Sequence, residues 1–186
     1  MSDGLFYNDL RAPFIAADIA SVTLATTAKA IYGVANCPAM GKDYWFVGKK
    51  IKIRLFGRMT TVLTPGNGVW DISYGTGADA NGVILASSAA LALTASQTSL
   101  SWWLEVFVHC RSIGATGTLF CTGKWGANPS LLASTLQPAL IPASVPAVSG
   151  ACDLTVASNI ISCQFKRSGS TAETMQIHDM EVTALN

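Results

Sequence analysis

The stretch that most limits how this chain can fold is residues 99–124, SLSWWLEVFVHCRSIGATGTLFCTGK. Trp102, Leu104, Val106, Val108 and Cys110 fall on alternate positions, and a period of two belongs to a half-buried strand. The interleaved set, Trp103, Glu105, Phe107, His109 and Arg111, is mixed. One face therefore enters a core, while the other carries two large aromatics among charges. Gly114-Ala-Thr-Gly117 supplies a turn, because glycine tolerates the positive φ that reversals need. The return strand alternates again, with Leu119, Cys121 and Trp125 on one side and Thr118, Phe120, Thr122 and Lys124 on the other.

The same period recurs along the chain. Residues 19–25 set Val22 and Leu24 against Ser21 and Thr23, a first strand, and residues 28–32 extend it or start another. Within residues 49–60, Ile51, Ile53, Leu55 and Met59 point inward and Lys50, Lys52, Arg54 and Arg58 outward. The turn signal Thr64-Pro-Gly-Asn-Gly68 leads to residues 69–75, read as the partner strand, with Trp70, Ile72 and Tyr74 on one face. A reversal at residues 79–82 precedes a short strand at 83–85. Residues 153–157, 159–166 and 174–185 complete the set. In the last, the apolar phase slips at His178-Asp179, where a β-bulge is expected. Eight to ten short strands with no amphipathic helix give an all-β antiparallel sandwich in one domain, residues 19–186.

Composition bears on the surface of that sandwich. Half the residues are apolar and 12% are charged, about half the usual charged share, and the mean hydropathy is +0.38. Either a membrane or partner subunits must cover such a surface. The longest uncharged stretches are residues 80–104, rich in Ser and Thr, and residues 125–152, with Pro129, Pro138, Pro142 and Pro146. Neither resembles a span of about 20 apolar residues, so subunit contact is expected and a membrane is not. Two segments are candidates for it. Residues 1–18 form an extended arm, with Phe6, Tyr7, Leu10, Phe14 and Ile15 around Pro13, lying over its own domain or over a neighbour. Residues 126–150 form a long loop with Leu131, Leu132, Leu136, Leu140 and Ile141, expected to meet another subunit rather than pack on its own sandwich. Trp103 and Phe107 are further anchors. The start of the chain has acidic residues and no basic region before an apolar run, unlike a secretory signal.

Catalytic chemistry finds little purchase. The five cysteines are odd in number and widely spaced, without C-x-x-C, and read as buried thiols of a protein folded in a reducing cytoplasm. His109 and His178 lack ligand-spaced neighbours, so neither metal nor catalytic residues are assigned. Glu105 and Asp71 are the conceivable glycosidase carboxylates, but both fall on outward phases and read as solvated or salt-bridged. Gly66-x-Gly68 and Gly75-x-Gly77 precede no helix and are turn glycines, so no cofactor is expected. Lys49, Lys50, Lys52, Arg54 and Arg58 make a basic stripe beside Phe56. A net charge of +1 argues against nucleic acid and leaves a solvated face or an acidic partner surface. Trp103, Trp125, Tyr44 and Trp45 are candidates for stacking on sugar rings.

Residues 85–98 (LASSAALALTASQT), then Trp102-Trp-Leu-Glu-Val106 and Arg111-Ser-Ile-Gly-Ala-Thr-Gly-Thr-Leu119, resemble a group of small β-rich structural proteins of tailed bacteriophages. In that group a strand ending in Arg meets a Gly-x-x-Gly turn, and Ala, Ser and Thr dominate the loops. The resemblance implies a virion component made in the host cytoplasm. One form is a jelly-roll decoration (cement) protein, often a homotrimer, bound to the major capsid protein. The other is a tail or fibre module that binds a carbohydrate or receptor. Neither form is an enzyme. The five cysteines and the proline-containing segment after Lys124 depart from the group's pattern.

Overall fold

The computed structural model describes residues 22–31, 40, 43–77, 79, 82–133, 138–144 and 151–186. The arm residues Phe6, Tyr7, Leu10, Phe14 and Ile15, together with Cys37 and Leu136, lie outside the described residues. Within them the chain forms β1 (Val22–Thr23), β2 (Lys29–Ala30), β3 (Lys50–Thr60), β4 (Asn67–Gly75), β5 (Val83–Ser87), β6 (Leu91–Ala92), β7 (Leu100–Ser112), β8 (Thr118–Ala127), β9 (Ala139–Ile141), β10 (Ile160–Arg167) and β11 (Thr174–Ala184). One sheet has the order β1-β11-β3-β7-β8-β9 and the other β2-β10-β4-β5, with β6 also on β4. All pairings are antiparallel. The two sheets form a sandwich.

The alternation read in residues 99–124 sets β7 against β8, with Val106 opposite Gly123 and Glu105 opposite Lys124. The expected slip in β11 is present, between Ile177 and Asp179. It lets Ile177 and Met180 both face inward despite their odd spacing. The inner layers meet on a cluster of large rings. Trp70 of β4 lies 5.2 Å from Trp102 of β7, 6.5 Å from Trp125 of β8 and 5.1 Å from Phe165 of β10, between ring centroids. These rings need room, and glycines leave it. A Cβ on Gly57 would stand 2.8 Å from the Trp102 ring and closer still to the Gln176 carbonyl, and one on Gly68 would overlap the Phe165 ring.

Three expectations change. Residues 49–60 and 69–75 are not hairpin partners: β3 sits between β7 and β11, and β4 between β10 and β5, in the opposite sheet. A period of two tells which face is apolar but not which strand lies alongside. The intervening loop crosses between sheets beside the β10–β11 connection. There the Thr171 hydroxyl accepts from the Thr64 N–H at 3.1 Å, and the Ser168 hydroxyl accepts from the Asn67 N–H at 2.9 Å. Residues 153–157 are a turn, not a strand, because the Asp153 carboxylate accepts the Thr155 N–H at 2.9 Å and its hydroxyl at 2.6 Å, an alternative to sheet pairing. Finally, part of the 126–150 segment belongs to the chain's own core. Leu131, Leu132 and Ile141 are buried, and Ile141 sits in β9, paired to β8. Among the described residues of this group only Leu140 faces outward, 67% exposed.

Replacing Gly57 by alanine is expected to destabilise the protein by about 2 kcal/mol, the scale of overpacking a filled core. Urea unfolding reads this as a lower midpoint at unchanged slope. An unchanged midpoint would show that the Trp102 ring and β11 do not compete for that space.

Candidate functional site

The feature with most chemistry is the outer face of the six-stranded sheet, assembled from the polar phases of β3, β7, β8 and β11. Register brings these phases into rows. Phe56 lies opposite Trp103 on one side and Asp179 on the other, Arg54 opposite Glu105 and Glu181, Lys52 opposite Phe107, and Lys50 opposite His109. On β8, Gly126, Lys124, Thr122 and Phe120 continue the same four rows. The stripe read in β3 is thus one column of a wider surface.

Each outward aromatic on this surface carries a cation of its own. Arg54 stands 5.3 Å from the Phe56 ring, Lys50 5.0 Å from Phe107, Arg111 4.7 Å from Phe120 and Lys124 5.6 Å from Trp103. Such pairs favour a ring face over water by about 0.5–1 kcal/mol at exposed sites. Carboxylates are fewer and lie towards one side. Glu105 meets Arg54 at 3.7 Å and Lys124 at 3.9 Å, and Glu181 meets Arg54 at 3.3 Å and Lys52 at 3.6 Å. Bonding by the Thr183 hydroxyl, then Lys52 and Arg54, holds the Glu181 carboxyl below its usual pKa. At the other end, burial and then the charges of Lys50 and Arg111 push His109 below its ordinary value, so its ring is neutral at pH 7. Trp103 lies on Gly126, where a Cβ would come within 2.9–3.1 Å of three indole atoms. Together with Arg54, Phe56, Glu105 and Lys124 it lines a shallow groove of about 280 Å³.

The other expected site residues are distributed differently. Trp103 and Phe107 are half-buried on this face, but Trp125 and Trp45 are core residues and offer no ring to a sugar. Tyr44 is half-buried beside Trp45 at 5.1 Å. Lys49 leaves the basic stripe: its odd phase turns it in, 4% exposed, over the rings of Tyr44 and Phe46. Asp71 and Glu105 occupy outer faces of opposite sheets and cannot flank one bond. Asp71 is not solvated either; it is buried, bonded by the Lys166 ammonium at 2.6 Å and the Ser87 hydroxyl at 2.6 Å. Asp71, Ser73, Gln164 and Lys166, with residues 26–28, line a second pocket of about 270 Å³. Sequence reasoning missed this polar cluster because its signal, polar residues on an outward phase, is also the signal of a wet face.

Among the described residues no three His, Cys, Asp or Glu side chains gather as a metal site, and no helix is long and apolar enough to cross a membrane. Cys110, Cys121, Cys152 and Cys163 are free, buried thiols. No family model, curated protein or solved structure matches the chain.

Burial of His109, with the two cations beside it, has a measurable consequence. Its folded-state pKa lies below 6.5, so the unfolded chain binds the proton first. The stability this group contributes is complete above about pH 6.5 and is lost as pH falls from there through the folded value. Proton NMR of the two histidines, assigned with His178→Gln, should give His109 the midpoint below 6.5. His109→Gln should flatten the fall in stability between pH 7 and 5. A midpoint at or above 6.5 would mean that neither burial nor the charges of Lys50 and Arg111 govern this ring.

Proposed function

We propose that this chain is a jelly-roll structural subunit of a phage virion, a decoration protein that binds the capsid shell as a homo-oligomer. The observation that carries the reading is the winding order. Strands β1-β11-β3-β7 and β2-β10-β4-β5 follow the order expected when two Greek keys are wound into facing four-stranded sheets, with β6, β8 and β9 as additions. Jelly rolls recur in viral capsid and lectin domains. A fold by itself hosts many functions, and two further features direct the choice. The hairpin and loop pattern resembles phage structural proteins. The surface carries large exposed apolar side chains, among them Val47, Leu63, Ile113 and Leu140, in a chain with 12% charged residues. Such a surface suits function by buried area rather than by chemistry. Leu140, Trp103 and Phe107 remain the described candidates for contact. The partners are further copies of the chain, as a trimer, and the major capsid protein.

One observation favours a second reading, a glycan-binding module of a tail or fibre. Trp103 presents a half-exposed indole beside Phe56 in the 280 Å³ groove, and an indole face can stack on a pyranose ring.

Light scattering on the purified protein should give about three times the 19.5 kDa chain mass, and the protein should sediment with shells that lack it. A monomer that leaves such shells bare would overturn the decoration reading. Saturable tryptophan quenching by host glycans from that monomer would establish the second.

A further inference from the structure

We infer that the outer face of β3, β7, β8 and β11 is a docking surface for an acidic protein face. Lys50, Lys52, Arg54, Arg58, Arg111 and Lys124 stand on it against Glu105, Asp179 and Glu181. Six cations and three carboxylates give this face +3, in a chain whose total is +1. Charge that a near-neutral molecule concentrates on one flat face is charge without an internal partner. Lys50 and Arg111 make the point locally: among the described residues no carboxylate lies within 4 Å of either, and Arg58 bonds the neutral Gln176 amide, at 3.0 Å. His109, opposite Lys50 in the register, stands between them and adds no negative charge to the row.

The aromatics say what kind of anion fits. Single-stranded nucleic acid would use exposed rings as stacking platforms. Here every ring has a cation beside it, and three carboxylates would repel phosphates. Rings that support cationic heads instead hold them raised and ordered, which lowers the entropy lost when a partner's carboxylates arrive. Arginine with aromatic residues is also the composition of protein interface hot spots. The inference deepens the contact role proposed above by naming which face meets the partner and with what chemistry.

The test uses the intact protein and a 20-residue poly-L-glutamate as probe, followed through tryptophan emission, since Trp103 is the half-exposed tryptophan among buried ones. Saturable binding that weakens with added salt is expected. The double variant Lys50→Gln/Arg111→Gln should weaken it about tenfold, a loss typical of one or two close charge contacts. Lys124→Gln should weaken it as well. Lys29→Gln, which removes a charge paired with Asp79 on the other sheet, should leave it unchanged. No binding, or equal weakening by Lys29→Gln, would overturn the inference. Tighter binding of a 20-nucleotide oligo-dT would overturn it too and reassign the face to nucleic acid. These outcomes concern the face alone; the decoration reading stands or falls on shell binding and mass.

Discussion

The structure depends on the wedge of rings that holds the two sheets together. Trp70 and Phe165 come from one sheet, Trp102 and Trp125 from the other, and all four are fully enclosed. A buried aromatic of this size removes about 150–250 Å² from water, worth about 4–6 kcal/mol each in gross transfer energy at ~25 cal/mol per Å². Described cysteines form no bridge between the sheets, so packing does the fastening. Among the described residues the indole N–H groups of Trp70, Trp102 and Trp125 have no hydrogen-bond acceptor. Trp125 stands edge-to-face to Trp70 at 69° and to Phe165 at 82°, an arrangement that aromatic pairs favour, while Trp102 is tilted at 49° to Trp70.

Around this wedge the ends of the sandwich are tied by polar contacts. Arg167, at the end of β10, meets the buried Glu173 carboxylate at 2.5 Å, off the straight N–H···O line. Its guanidinium also bonds the Gly169 carbonyl, and Thr171 donates to the second Glu173 oxygen at 2.6 Å. The Glu173 carbonyl receives the Leu24 N–H. One buried ion pair thereby fixes the β10–β11 turn, the loop it crosses and the short edge strand β1. Removing one partner of such a pair costs about 3–5 kcal/mol because the other is left charged and enclosed.

The two outer faces then diverge. On the smaller sheet the outward polar groups are consumed internally: Asp71 by Lys166 and Ser87, Ser73 by Gln164 at 2.7 Å. On the larger sheet Lys50, Arg54, Arg111 and Lys124 stand on aromatic rings, and the carboxylates are fewer than the cations. That difference makes one face a finished part of the fold and leaves the other available for contact. It also explains how a chain of low charge still presents a strongly charged patch, since its few ionic groups are concentrated rather than spread.

The sequence determined the local facts. Alternation in residues 51–59, 102–110 and 119–125 fixed which side chains enter the core, because a strand's side chains leave opposite faces with a period of two. The slip at His178-Asp179 fixed a bulge for the same reason. Tertiary structure decided the rest. It set β3 between β7 and β11 instead of beside β4, because alternation is blind to partner. It drew Leu131, Leu132 and Ile141 into the core of their own chain, since an irregular apolar segment has no period to say what it covers. It turned Asp71 from a surface charge into a buried one, and it joined a basic column on β3 to rings on β7 and β8. A charge pattern becomes a surface only when strand register aligns residues about 50 to 70 positions apart, and the register is set by the packing of the whole sandwich.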